Sequence, residues 1–368
     1  MGITFVMAGG GTGGHVLPLL AVARELRSRG HSCIFVGVRT GMEAKLVPAQ
    51  DFRIEWIEIG GLKRVGLRRT LATLMELPWS VWHAARILDR EKPGAVFSMG
   101  GYVAGPVLLA ALWKRVPVVM MEPNAVPGFT HRHLARFAAR ALIAFPETSG
   151  HFPKGRTELT GLPIRDEFFA VPRKPRGSPI TVLITGGSQG SRTLNRAVEQ
   201  SWALWKKGAV RLIHQTGALM FDELAAKFQD VSKAGAVEGE VTAFLSEMPR
   251  AFAEADVVVS RAGAGAVSEL AAAGRASILV PLPGASDDHQ LKNAQALQRA
   301  GAACVVLDRD MTGERLVQEI TRLTLEPGTL EAMAAAAHSL ARPGAARRAA
   351  DVLEKLAVDR RSESRNNT

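Results

Sequence analysis

Only two cysteines, Cys33 and Cys304, and a single tyrosine, Tyr102, occur in 368 residues. Two thiols inside apolar strand-like runs (SCIFVG and ACVVL) cannot build a disulfide framework or a structural metal site. They read as buried thiols of a reducing compartment. No uninterrupted apolar run reaches the about 18 residues of a bilayer span. The start at Met1 runs straight into a strand and a glycine loop, so no signal peptide is read there. A convincing Asp-x-Asp metal motif is also lacking. Asp287 and Asp288 are adjacent, and Asp308-Arg309-Asp310 has the spacing but lies apart from the other motifs. The expectation is therefore no intrinsic metal and no cofactor.

What is present is ordinary in amount and uneven in place. Hydrophobic residues make up 47% and charged residues 22%, enough for large buried cores. At about 150 residues per domain the length suggests two domains. The net charge of +11 falls almost wholly in the first half. Residues 1–165 hold 21 Lys and Arg against 11 Asp and Glu, while the remainder holds 25 against 24. That asymmetry points to an anionic partner of the first half, nucleic acid or an acidic membrane surface. The basic residues follow no nucleic-acid motif, which favours the membrane.

The opening GITFVMAGGGTGGHV reads as strand, tight loop and helix, and PITVLITGGSQGSR repeats it with an offset of 177 residues. In each half, strand-like runs then alternate with helical segments, the pattern of a parallel sheet covered on both faces. The expected fold class is α/β, with two Rossmann-like doubly wound domains facing across a cleft. The expected limits are a first domain over 1–165, a Pro- and Arg-rich linker over 166–178 and a second domain over 179–342. A C-terminal helix over 343–357, packing back on the first domain, and a disordered tail over 358–368 complete the division.

Three glycine loops carry the chemistry. Gly9, Gly11 and Gly14 satisfy G-x-G-x-x-G after a strand. A dinucleotide site also wants an acidic residue about 20 residues on, and VGVRTGMEA offers arginine there. What remains is a loop that lets backbone N–H groups at a helix N-terminus approach an anion. Gly186-Gly187-Ser188-Gln189-Gly190 fits the nucleophile elbow of a serine hydrolase, with Asp256 and His289 as possible partners, or a phosphate cradle with Ser188 donating. The cradle serves both halves with one idea. In the third loop, SRAGAGAVSELAAAG, small residues open a helix whose dipole suits a pyrophosphate. Glu269, a turn inside, suits a ribose diol or simply complements the dipole. His289, Gln290 and Asn293 follow, as sugar ligands or as a capped helix start.

GGGTGGHVLPLLAVA, SMGGYVAGPVLLAA, MEPNAVPGFTHRHLA, TGLPIR, GGSQGSR, and SRAGAGAVSELAAAG with DDHQLKNA stand in one order. Over about residues 3 to 355 the chain resembles the MurG family. These peptidoglycan transferases add N-acetylglucosamine to undecaprenyl-pyrophosphoryl-MurNAc-pentapeptide. The resemblance implies a GT-B architecture and inversion at the sugar. It implies UDP-N-acetylglucosamine contacts from Arg165, Ser188, Leu245, Gln290 and the run Ala264, Gly265, Ala266, Val267, Ser268 and Glu269. From the first domain, Thr12, Gly13, Gly14 and Asn124 join them. Two positions depart from the family pattern. Met121-Glu122-Pro123-Asn124 stands where His-Glu-Gln-Asn is frequent, and Ala266 stands where threonine is frequent. The alternatives are another GT-B enzyme with a different acceptor, a UDP-sugar epimerase, or a serine hydrolase using Ser188.

Such a transfer needs the acceptor hydroxyl deprotonated and the departing UDP charge stabilised. His15 is the leading base, or else orients its loop or binds the acceptor pyrophosphate. Glu122 is the second candidate, as base or sugar ligand, and Tyr102 is expected to line the acceptor site. Residues 62–90 hold two helical stripes. Leu67, Leu71, Leu74, Pro78, Val81, Ala85 and Leu88 form a core face, with Pro78 expected to kink or interrupt it. Met75, Trp79, Trp82 and Arg86 lie beside it, with Lys63, Arg64, Arg68 and Arg69 upstream and Trp113-Lys114-Arg115 repeating the combination. These tryptophans are core, or they rest on acidic lipid at the cytoplasmic face of the cell membrane as a peripheral anchor.

Overall fold

A computed structural model describes residues 2–60, 67–174, 177, 179–235 and 237–366, without the side chains of 67–74, 286, 361 and 363–366. The chain divides into two compact units, Met1–Ile164 with Gly344–Thr368, and Arg165–Pro343.

The first unit is built on strands β1 (Thr4–Gly9), β2 (Ser32–Gly37), β3 (Arg53–Trp56), β4 (Ala95–Gly100), β5 (Val118–Glu122), β6 (Arg140–Ile143) and β7 (Thr157–Leu159). Its helices are α1 (Gly13–Ser28), α2 (Glu43–Leu46), α3 (Leu67–Glu91), α4 (Ala104–Trp113) and α5 (Phe129–Leu134). The second unit has β8 (Ile180–Thr185), β9 (Val210–Gln215), β10 (Glu238–Thr242), β11 (Val257–Ser260), β12 (Ala276–Leu279) and β13 (Ala303–Val305). Around these lie α6 (Arg192–Ser201), α7 (Phe221–Lys233), α8 (Met248–Glu254), α9 (Ala264–Ala273), α10 (His289–Arg299), α11 (Gly313–Leu325) and α12 (Thr329–Ser339). The final helix, α13 (Ala345–Asn366), belongs to the first unit.

Both sheets are parallel throughout, in the orders β3-β2-β1-β4-β5-β6-β7 and β10-β9-β8-β11-β12-β13. Strands buried on both faces have no polar side to show, which is why AVFSMG and VVVS read as continuous apolar runs. Alternation sends Val6 and Ala8 into the core shared with Ala84, Leu88, Val107 and Leu108, and Phe5 and Met7 to the opposite face. Each order reverses between the first strand of the unit and the fourth, β1/β4 and β8/β11, leaving a crevice beyond their carboxyl ends.

Three expectations change. Helix α3 runs through Pro78 without interruption. The presumed linker is partly structured: a helical turn over Asp166–Phe168 places Phe168, fully buried, edge-on against Phe252 at 5.1 Å. The expected disordered tail continues α13 as far as Asn366, since nothing in DRRSESRN breaks a helix. Helix α13 packs on α1, where Arg29 donates to Asp351 at 2.7 Å and Glu354 at 2.8 Å. His31 joins them, accepting from the Ile3 amide at 3.1 Å and lying 2.7 Å from Glu354. Cys33 is buried, and Cys304 is half-buried with its thiol 3.4 Å from Glu319.

Candidate active site

At the first switch point β1 ends in the loop that opens α1. Gly11 sits at φ +87, and a Cβ there would lie 3.1 Å from the Tyr102 ring, so the loop can pass beneath Tyr102 only as glycine. Glu43 holds the loop from below. Its carboxylate, 1% exposed, accepts from the amides of Gly11 (2.8 Å) and Val38 (3.1 Å), and a Cβ on Gly10 would collide with it. Burial, with help from this carboxylate, raises the Tyr102 phenol above its ordinary value. Thr12 stands at the start of α1 with no side-chain bond to a helix amide, and Thr12 and Gly14 are exposed. His15 Nδ1 lies 3.2 Å from the Gly10 carbonyl and 3.4 Å from the Thr12 hydroxyl. A carbonyl accepts only, so in the neutral ring Nδ1 carries the proton and Nε2 the lone pair.

Glu122, expected as a base or a sugar ligand, lies inside a network of internal hydrogen bonds. It is 2% exposed, and its oxygens accept from the Asn124 amide (3.1 Å), the Asn124 side chain (3.2 Å) and the Gly128 amide (3.3 Å). The fourth contact is His131 Nδ1 at 3.0 Å. A carboxylate enclosed in this way is not placed to take a proton from a bound alcohol; it shapes the loop that carries half-buried Asn124.

At the second switch point, β8 leads to Gly186–Gly190, where Gly190 at φ +74 passes so close to the Thr216 carbonyl that a Cβ would collide. Ser188 is exposed. Gln215, at the end of β9 and 1% exposed, donates to the Gly187 carbonyl at 2.9 Å and accepts from the Leu245 amide at 3.0 Å. One side chain thus joins two loops expected to meet the donor. Helix α9 opens at Gly263 with no side-chain cap, and its first amides point along the helix axis where an anion would be favoured. Burial pushes half-buried Glu269 up to about 7, against the lowering pull of Arg165. Arg165 is exposed and stacks 5.0 Å over Phe168. Gln290 accepts from the amides of Ala262 (3.3 Å) and Leu282 (3.0 Å), and buried Asn293 donates to the Ala262 carbonyl at 3.2 Å.

The hydrolase triad fails on distance. Asp256 accepts from the Thr181 amide at 2.7 Å and from Lys174 at 2.6 Å, at the start of β8, whereas Ser188 follows its end. At roughly 3.3 Å per residue the intervening strand alone separates them by more than roughly 13 Å. Asp308 is likewise engaged, with Arg261 and Thr193. Four residues of these networks escaped the sequence reading: Glu43, Ser98, His131 and Gln215. For Ser98 and Gln215 the one sequence signal is a polar residue inside an apolar strand run, whereas Glu43 and His131 lie on helices α2 and α5 and carry no such signal.

The expected membrane stripe is exposed. Met75 is 82% exposed, Trp79 56%, Trp82 38% and Trp113 62%. The rings of Trp79 and Trp82 stack at 4.7 Å, with Arg86 4.9 Å over Trp82 and Lys114 5.0 Å over Trp113. Ala84, Ala85, Ile87 and Leu88 form the buried side of the same helix, so these tryptophans are not core. Lys63 and Arg64, and the side chains of Arg68 and Arg69, lie outside the described residues. Among the described residues no helix is long and apolar enough to cross a membrane.

Two parallel α/β units, each with a glycine loop at its switch point, are the two halves of the GT-B fold, a class that holds sugar-nucleotide enzymes. Residues 5–143 match the glycosyltransferase family 28 N-terminal domain and 181–354 its C-terminal domain. The chain is 57% identical to the UDP-N-acetylglucosamine–N-acetylmuramyl-(pentapeptide) pyrophosphoryl-undecaprenol N-acetylglucosamine transferase of Solibacter usitatus, over 96% of both. The enzyme of that name from Halorhodospira halophila is 42% identical, over 96% of this chain and 98% of its own. The crystal structure of Acinetobacter baumannii MurG superposes with a TM-score of 0.81 at 34% identity, over 96% of this chain and 99% of that one. The chain belongs to glycosyltransferase family 28 and, within it, to the MurG family.

Proposed function

We propose that the protein transfers N-acetylglucosamine, with inversion, from UDP-N-acetylglucosamine to the C4 hydroxyl of undecaprenyl-pyrophosphoryl-MurNAc-pentapeptide. The observation that carries this is the 57% identity to an enzyme so named over nearly the full length of both chains. The site chemistry agrees with it. A single displacement needs a base for the acceptor hydroxyl and a cradle for the leaving diphosphate, and no covalent nucleophile.

His15 is the base: its Nε2 takes the hydroxyl proton as the acceptor oxygen bonds to C1. The C1–O bond to the diphosphate breaks, and its electron pair leaves with UDP. The first amides of α9 and the Arg165 guanidinium meet that charge. Ser188, Leu245, Gln290 and the run from Ala264 to Glu269 hold the donor, with Glu269 on the ribose diol. Thr12, Gly13, Gly14 and Asn124 contact its sugar. Tyr102 lines the acceptor site, and Glu122 shapes it.

The Met75, Trp79, Trp82 and Trp113 surface, with Arg68 and Arg69, rests on acidic lipid at the cytoplasmic face of the cell membrane. There it meets the lipid-linked acceptor. Indole rings prefer the headgroup level, and the cations beside them favour an anionic leaflet.

Incubation of the protein with labelled UDP-N-acetylglucosamine and a lipid-linked MurNAc-pentapeptide analogue should yield a labelled disaccharide lipid on chromatography. His15→Ala should reduce the rate by about 100-fold or more, the usual contribution of a general base. Donor binding without product would refute the assigned acceptor.

A further inference from the structure

The loops carrying Tyr102 and Asn124 are joined through a buried imidazole that the reaction itself does not use. His131, on α5, is 1% exposed. On one side its Nδ1 lies 3.0 Å from Glu122 Oε2, and on the other its Nε2 lies 3.0 Å from the hydroxyl of fully buried Ser98. The Ser98 oxygen in turn accepts from the Gly100 amide at 3.1 Å. A carboxylate only accepts, so Nδ1–H donates to Glu122, and in the neutral ring Nε2 then accepts from Ser98. The chain therefore runs one way: Gly100 N–H to Ser98, Ser98 O–H to His131, His131 N–H to Glu122. The neighbouring Thr130 hydroxyl donates to the Gly101 carbonyl at 2.9 Å, so two successive residues grip the glycine loop before Tyr102. That loop is close to His15, since a Cβ on Gly101 would lie 3.5 Å from the His15 ring.

We propose that His131 is a positioning residue: through Ser98 and Glu122 it sets the Gly100–Tyr102 loop against His15 and orients the bound acceptor hydroxyl for proton transfer. The acceptor half of this statement rests on the proposed function; the loop-setting half does not. Every member of the chain is buried and paired, so removing the centre leaves a carboxylate and a hydroxyl short of a partner at once. Released loops would harm the acceptor step and spare donor binding.

Tyr102 is the only tyrosine, so protein labelled with 3-fluorotyrosine gives a single fluorine resonance from this loop. The wild type should show one narrow line. His131→Leu, which keeps bulk and loses both polar atoms, should shift or broaden it. His131→Gln, which keeps one donor and one acceptor, should return it towards the wild-type position. In the transfer assay His131→Leu should lower kcat/KM for the acceptor at least about tenfold with UDP affinity unchanged, and His131→Gln should recover most of the loss. Ser98→Ala, a small change that keeps the fold should His131→Leu not fold, should move the same resonance. An unmoved resonance in His131→Leu or Ser98→Ala overturns the proposal, as does an equal effect of Leu and Gln. A moved resonance with unchanged acceptor kinetics also overturns it. A wild type that makes no disaccharide lipid refutes the proposed function instead, while the fluorine lines still decide the loop setting.

Discussion

Glu269 shows how far a single environment can move a group. Burial drives its carboxyl to about 7, because a charge in a poorly solvated site is costly and Arg165 compensates only in part. In the folded protein without ligand this favours the protonated form. The carboxyl therefore contributes least to stability once pH has passed above about 7 and the group has ionised. A ribose diol donating two hydrogen bonds favours the ionised form and lowers the pKa again. Donor binding should therefore release a proton near neutrality, and affinity should rise with pH from about 6 to 8. Calorimetry in buffers of different ionisation enthalpy would detect that proton. Glu269→Gln should abolish both its release and the pH slope, and a wild-type affinity flat across neutrality would remove Glu269 from the ribose.

Helix α3 carries two unlike faces. Ala84, Ala85, Ile87 and Leu88 cover the sheet, while Met75, Trp79 and Trp82 stand out from it with Arg86 over an indole face. An exposed apolar patch of this kind on a basic unit is costly in water and marks an interaction surface. Changing Trp79 and Trp82 together to serine should weaken binding to vesicles containing acidic lipid about tenfold or more. The residual binding should fall further with salt, because each Lys or Arg near such a surface contributes about 1 kcal/mol that screening removes. Vesicle sedimentation would measure both, with donor affinity as the control. Equal binding by variant and parent would disprove a lipid role for this face.

On the scale of the whole molecule, the two units hold separate hydrophobic cores and should unfold in separate transitions. Fully buried Leu353, on α13, belongs to the first, although it follows the last residue of the second. Leu353→Ala should cost the first unit about 2–5 kcal/mol through the cavity it leaves. UDP, by mass action, should stabilise only the second. Differential scanning calorimetry should accordingly show Leu353→Ala lowering one transition and UDP raising another. A variant in which both transitions fall together would mean that α13 does not act on one core alone.

Much of this architecture was legible along the chain. Local rules determined the strands, the glycine turns, the two-fold recurrence and the open starts of α1 and α9, since apolar runs, glycines and helix periods depend on neighbours in sequence. The order of motifs carried the family. What only the tertiary structure decided are pairings across long separations, to which no local pattern responds. Glu43 reaches Gly11, Gln215 joins Gly187 to Leu245, and His131 links Ser98 to Glu122. The same holds for Glu122, a candidate base by residue type, which burial and four internal donors turn into a support for its loop. Tryptophan periodicity fits core and surface alike, and only the packing of α3 turned Trp79 and Trp82 outward. Residue type and spacing state what a side chain can do, whereas burial and distant partners decide what it does.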